Sequence, residues 1–239
     1  MDRVNPAFVN LMGGFLLAAV MISQVQAGDD FPGMPVSAET LRTQEKAQQL
    51  FEAGNYKRAY FIYRNELAPV GDKHAQYMIG FMHLTGKVVS KDGIVASAWY
   101  RLAAERGTPE FVKARDKVLA ALTADQKAAS DREYIALRQD LADVALLFKA
   151  VRSDYSQLAQ PDARLRTSSE REVAVGAGAI RRQTRPLSDE DKALVRKRLQ
   201  QRLDFILDES RIEVSDRDID SLDLSVIETR VKAYLEEAD

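Results

Sequence analysis

The sequence predicts an all-α protein whose core is a short α-α solenoid with capping helices, and three observations carry that prediction. Within 75–107, Ala75, Met78, Ile79 and Met82 recur at i, i+3, i+4 and i+7, one apolar helix face. A second stripe follows in the same stretch, through Ala96, Trp99, Tyr100, Ala103 and Ala104, with Gly107 as its stop. A shorter copy lies upstream: Ala59, Tyr63 and Leu67 match Ala96, Tyr100 and Ala104 at an offset of 37, with Gly71 one residue short of it against Gly107. Self-similarity at that period marks stacked helical pairs. Composition agrees, since glycine (12) and proline (7) are scarce in 239 residues.

Each element can be justified in turn. Gly80 lies inside the first helix of the 75–107 pair, where glycine costs about 1 kcal/mol against alanine. A close neighbour must therefore need the space. A loop runs from Gly86 to about Asp92, whereas Ala53 to Tyr56 makes a tighter turn in the upstream copy. Residues 75–107 resemble a Sel1-like repeat, a relative of the tetratricopeptide repeat. The resemblance rests on Ala75, Tyr77, Gly80, Leu84, Gly86, Lys91, Asp92, Ala96, Trp99, Tyr100, Ala103, Ala104 and Gly107. Gly54, Asn55, Tyr56 and Ala59 resemble the shorter tetratricopeptide-type turn. Val88 replaces the usual second loop glycine, and His83 stands where tyrosine is usual. The resemblance covers roughly residues 40–125. It implies a helical interaction scaffold for a protein or peptide partner, with Trp99 and Tyr100 as core. Tyr77 and Gln76 lie opposite the apolar stripe of their helix, so they are the candidate partner-binding residues on the concave surface.

Residues 1–27 read as a secretory signal. Arg3 is followed by the apolar run 11–22, and Val25-Gln26-Ala27 fits a small-x-small cleavage site. That run is shorter than the roughly 20 residues of a membrane span; an uncleaved anchor is the alternative. With no cysteine in the chain a lipoprotein is excluded, and no thiol can mispair in an oxidising compartment. These features, with the repeat type, predict a periplasmic or secreted bacterial protein. A net charge of −2 predicts no bulk attraction to nucleic acid or anionic lipid.

After the lead-in 28–36, residues 37–159 form the predicted repeat domain. Ser37 caps a helix to about Phe51, with Leu41, Ala47, Leu50 and Phe51 inward. The helix from Tyr56 should stop ahead of Pro69. Thr108 and Pro109 start a cap helix carrying Phe111, Ala114, Val118 and Leu122. Thr123 and Gln126 form a capping box that opens a long helical pattern to about Leu158, with a break expected near Arg152–Tyr155. Residues 160–186 read as a basic Gly/Arg-rich linker, in which 173–175 and 179–180 are a possible pairing strand. Residues 187–239 read as a C-terminal helical hairpin: one helix from Ser188 to about Asp208, another over 225–237.

No nucleophile motif, phosphate loop or cofactor fingerprint is legible, so no catalytic, cofactor or metal residue is assigned. Gly176 and Gly178 lack the third glycine of a dinucleotide loop. His74 and His83, nine apart, have no shared-ligand spacing, which predicts a surface His74 and a packed His83. Asp216, Asp218 and Asp220 alternate as in a calcium loop, but Ser221 and Ile227 stand where glycine and glutamate belong, so a solvated acidic turn is expected. The expected function is a non-catalytic exported scaffold. The alternative is an accessory or regulatory subunit of a cell-envelope enzyme, acting through the C-terminal hairpin.

Overall fold

The structure is a computed structural model that describes residues 36–159, 187–213 and 223–237. The expected signal (1–27), most of the lead-in, the expected linker (160–186) and the acidic residues at 216–221 lie outside the described residues. Those that are described form helices and turns, and no strand occurs among them. The chain divides into two units, 1–146 with 224–239, and 147–223.

In the first unit, Ser37 Oγ accepts the Thr40 N–H and opens α1 (Ala38–Glu52). Only Ala47 of α1 is fully buried; Leu50 and Phe51 are half-buried, and Leu41 is 43% exposed rather than inward. Its one well-covered stripe faces α2 (Tyr56–Ile62), and its outer side has no helix to meet among the described residues. Gly54, with φ +76°, allows the intervening turn.

The helical run that starts at Tyr56 ends at Leu67, ahead of Pro69. From α2 the chain passes through a π turn (Tyr63–Leu67) into a 3-10 turn (Ala68–Val70), and ends at Gly71 with φ +81°. Pro69 is tolerated because it sits at the start of the 3-10 turn, where its missing N–H has no bond to make. The Ala68 N–H reaches back to Tyr63 O, and Gly71 N–H to Ala68 O.

Asp72 caps α3 (Lys73–Thr85), Gly86 ends it in the left-handed region, and Asp92 caps α4 (Gly93–Ala103) through the Ile94 and Val95 N–H groups. Here the sequence reading holds. A Cβ on Gly80 would stand 3.2 Å from Ala96 O and 3.3 Å from both Trp99 Cβ and Tyr100 Cδ1, so glycine lets α3 and α4 touch. Trp99 and Tyr100 are core. α4 is the centre of this unit: it packs on α3, on α5 (Pro109–Ala121) and on α6 (Ala124–Leu141). The Thr123–Gln126 capping box forms with both bonds.

The long helical pattern breaks ten residues earlier than expected. Ala142 is extended (ψ 151°), and α7 (Asp143–Leu158) begins at once. The last helix, α9 (Leu224–Glu236), belongs to the first unit and lays Ile227, Val231 and Leu235 against α6. The Arg138 guanidinium donates to Glu237 O and lies 4.7 Å from the Tyr234 ring centroid. The other C-terminal helix, α8 (Asp189–Glu209), belongs to the second unit.

In the second unit, α8 starts with a Ser188–Asp191 capping box and turns Val195, Leu199, Leu203, Ile206 and Leu207 inward. Asp154 of α7 is buried between two arginines one turn apart on α8: Arg198 Nη2 at 2.6 Å from Oδ1, and Arg202 Nη1 at 2.5 Å from Oδ2.

Candidate functional site

The densest polar constellation joins three chain turns of the first unit. Lys73 opens α3, Glu105 and Arg106 follow α4, and Asp143 opens α7. The Lys73 ammonium donates to Glu105 Oε2 (2.6 Å) and Leu102 O (3.1 Å), and lies 2.9 Å from Asp143 Oδ1. Arg106 grips Asp143 bidentately, Nε to Oδ2 at 2.8 Å and Nη2 to Oδ1 at 3.0 Å, while Nη2 also reaches Gly71 O at 3.1 Å. Glu105 Oε2 accepts the first N–H of α7, from Asp143, at 3.2 Å. An anion at a helix N-terminus is favoured by the unsatisfied N–H groups and the dipole. The break at Ala142 is thereby explained: it turns the Asp143 backbone and side chain onto this cluster.

The chemistry available to the cluster follows from its saturation. Two cations balance two carboxylates, and the ammonium already faces three acceptors. Burial pushes the Glu105 carboxyl above the usual carboxylate range, with Lys73 opposing and the Asp143 charge adding to the rise. A raised carboxyl is a common mark of acid–base catalysis. Here, however, its acceptor oxygen is committed to Lys73 and to a helix end, which makes the cluster a clasp. Among the described residues, no group of three His, Cys, Asp or Glu side chains is placed to hold a metal ion. No described helix is long and apolar enough to cross a membrane.

The residues expected to face a partner do not reach the surface. Gln76 is 0% exposed and Tyr77 is 6% exposed. Tyr77 stacks on Phe111 of α5 (5.1 Å, 27°) and tilts against Tyr100 (5.2 Å); burial pushes its hydroxyl up to about 12. Gln76 Nε2 makes a long bond to Leu141 O (3.4 Å), and its Oε1 is buried with no hydrogen-bond partner. The face opposite the apolar stripe of α3 is therefore covered by α5 and the end of α6. What reads as a concave surface is interior.

Both histidines meet tyrosines of the preceding helix. The His83 ring stands edge-on to Tyr60, with Nε2 3.2 Å from the Tyr60 hydroxyl. His74, expected on the surface, is half-buried, edge-on to Tyr63 at 6.2 Å. The clasp itself is almost invisible in the sequence. Its traces are a lysine at the first position of α3, where the helix dipole disfavours a cation, and one carboxylate inside the apolar run 141–148.

Set against protein-family models, curated proteins and solved structures, the chain matches none of them.

Proposed function

We propose that this chain is a non-catalytic exported scaffold, built on Sel1-like helical repeats, that holds a protein or peptide partner on its helical surface. The observation that carries the reading is the exposure of large apolar side chains on the first helical pair and the turn after it: Phe61 is 59% and Leu41 43% exposed, with Val70 also in solvent. Large exposed apolar side chains carried on preformed helices suit a recognition surface, since little backbone has to be ordered on binding. The saturated clasp supports the non-catalytic part, because its carboxylates are committed to Lys73, Arg106 and a helix end. Export rests on residues 1–27, and amino-terminal sequencing of the mature protein should begin at Gly28.

A second reading places recognition on the C-terminal part, as an accessory subunit of an envelope enzyme. Leu194 on α8, 62% exposed, favours it. In-cell photo-crosslinking with the probe at Phe61, and separately at Leu194, distinguishes the two. Capture of one envelope protein from Phe61 supports the scaffold surface; capture from Leu194 alone moves recognition to α8; capture from neither overturns both.

A further inference from the structure

The chain holds two histidines, and both lie on α3 at its contact with the preceding helix. His74 meets Tyr63 in the first turn of α3, and His83 meets Tyr60 in the last. Tyr60 and Tyr63 are themselves one turn apart. Two imidazole–tyrosine contacts thus span one helix–helix joint. We propose that this joint is proton-sensitive, so that protonating His74 and His83 undocks α1 and α2 from α3. The inference does not depend on what the protein binds.

The charges around each ring set the sign. Burial lowers His74, with Asp72 alone pulling the other way; the neighbouring Lys73 is balanced within its clasp. Burial also lowers His83; Asp92, the cap of α4, opposes this, and Arg64 of the π turn reinforces it. Glu52 of α1 faces the same tyrosine as His74, acting on Tyr63 together with Asp72. A proton is therefore accepted more readily once the joint opens. Docking is fully favoured above the ordinary imidazole value of 6.5 and weakens as pH falls through the lowered values.

The ties of α1 to the joint are few. It buries only Ala47 fully; Gln44 Nε2 reaches Asp72 Oδ2 (2.7 Å), the Tyr63 hydroxyl reaches Gln48 Oε1 (3.3 Å), and the Phe51 ring stands edge-on to Phe81 of α3 at 6.0 Å. A segment with so few buried contacts opens at low free-energy cost, and α2 adds Ala59 and Ile62 to what must be uncovered.

Amide hydrogen exchange on the full chain at about pH 7.5 and pH 5.5, corrected for intrinsic exchange rates, tests the joint. Amides of 38–62 should lose protection relative to those of α4 on going to the lower pH. A His74→Phe/His83→Gln variant, which keeps an edge-on ring and a hydrogen-bonding side chain, should show no such loss. Unchanged protection in the wild type, equal loss in α4, or the same loss in the variant would each overturn the proposal. Imidazole NMR titration of the wild-type chain gives an independent check should the variant misfold: both midpoints are expected below 6.5, and a value above it in either ring sinks the joint.

Discussion

Asp143 Oδ1 lies 2.9 Å from the Lys73 ammonium, so the first residue of α7 and the first residue of α3, far apart in sequence, share one buried ion pair. Breaking such a pair leaves an uncompensated charge in a poorly solvated place, at a cost of about 3–5 kcal/mol. Asp143→Ala should lower the urea midpoint accordingly. Replacing Lys73 by Met in the same chain should recover part of the loss. Additive losses in the double variant would show that the two side chains act separately.

The pH response of the clasp has a sign set by Glu105. Its carboxyl is raised in the folded chain, chiefly by burial, so the native state holds the proton more tightly than the unfolded one. Its contribution is fully present below the ordinary value of 4.5 and is lost as pH rises through the raised value. Urea titrations at several pH values between about 4 and 7 should show the wild type losing stability relative to Glu105→Gln as pH rises. The opposite slope would mean that Lys73 outweighs burial.

Gly80→Ala sets two effects against each other. Helix propensity favours alanine by about 1 kcal/mol, whereas overpacking costs about 1–3 kcal/mol. The nearest atom to the new methyl is the Ala96 carbonyl oxygen, at 3.2 Å, and a backbone atom cannot swing aside. Net destabilisation is expected, read as a lower thermal midpoint. A higher midpoint would mean that α3 and α4 separate at little cost.

Tyr77→Ala should cost roughly 3–5 kcal/mol, as truncation of a buried aromatic does. Gln76→Met should change stability by less than about 1 kcal/mol, because it removes only a long bond and an unpaired oxygen. If Tyr77→Ala instead abolished partner capture at unchanged stability, the interior placement of this ring would be wrong.

Much of the local structure was legible from single residues. Ser37, Thr123 with Gln126, and Ser188 with Asp191 cap the helices they announce. Gly80 marks a close crossing, and Trp99 with Tyr100 marks the core. These signals are local, since each concerns a residue's own backbone or the face of its own helix. Partnership between elements was less legible. Periodicity shows that α9 has an apolar face but not that Arg138 of α6 waits for it. It shows that Tyr77 lies off the stripe of α3 but not that Phe111 will cover it. The clasp was hidden because Lys73, Glu105, Arg106 and Asp143 read as surface charges until their turns meet.

The π turn after α2 has a consequence for the relation between the two helical copies. Tyr63 O receives the Ala68 N–H five residues on, whereas Tyr100 O receives the Ala104 N–H four residues on. Beyond that point the bonds coincide again, Gly71 to Ala68 and Gly107 to Ala104. Tyr63 and Tyr100 are thus equivalent at a spacing of 37, while Ala68 and Ala104, and Gly71 and Gly107, are equivalent at 36. The widened turn is a one-residue insertion stored inside a helix, and it leaves both flanks of the copy in phase. Excising the exposed Asn65 should restore ordinary winding without disturbing either flank.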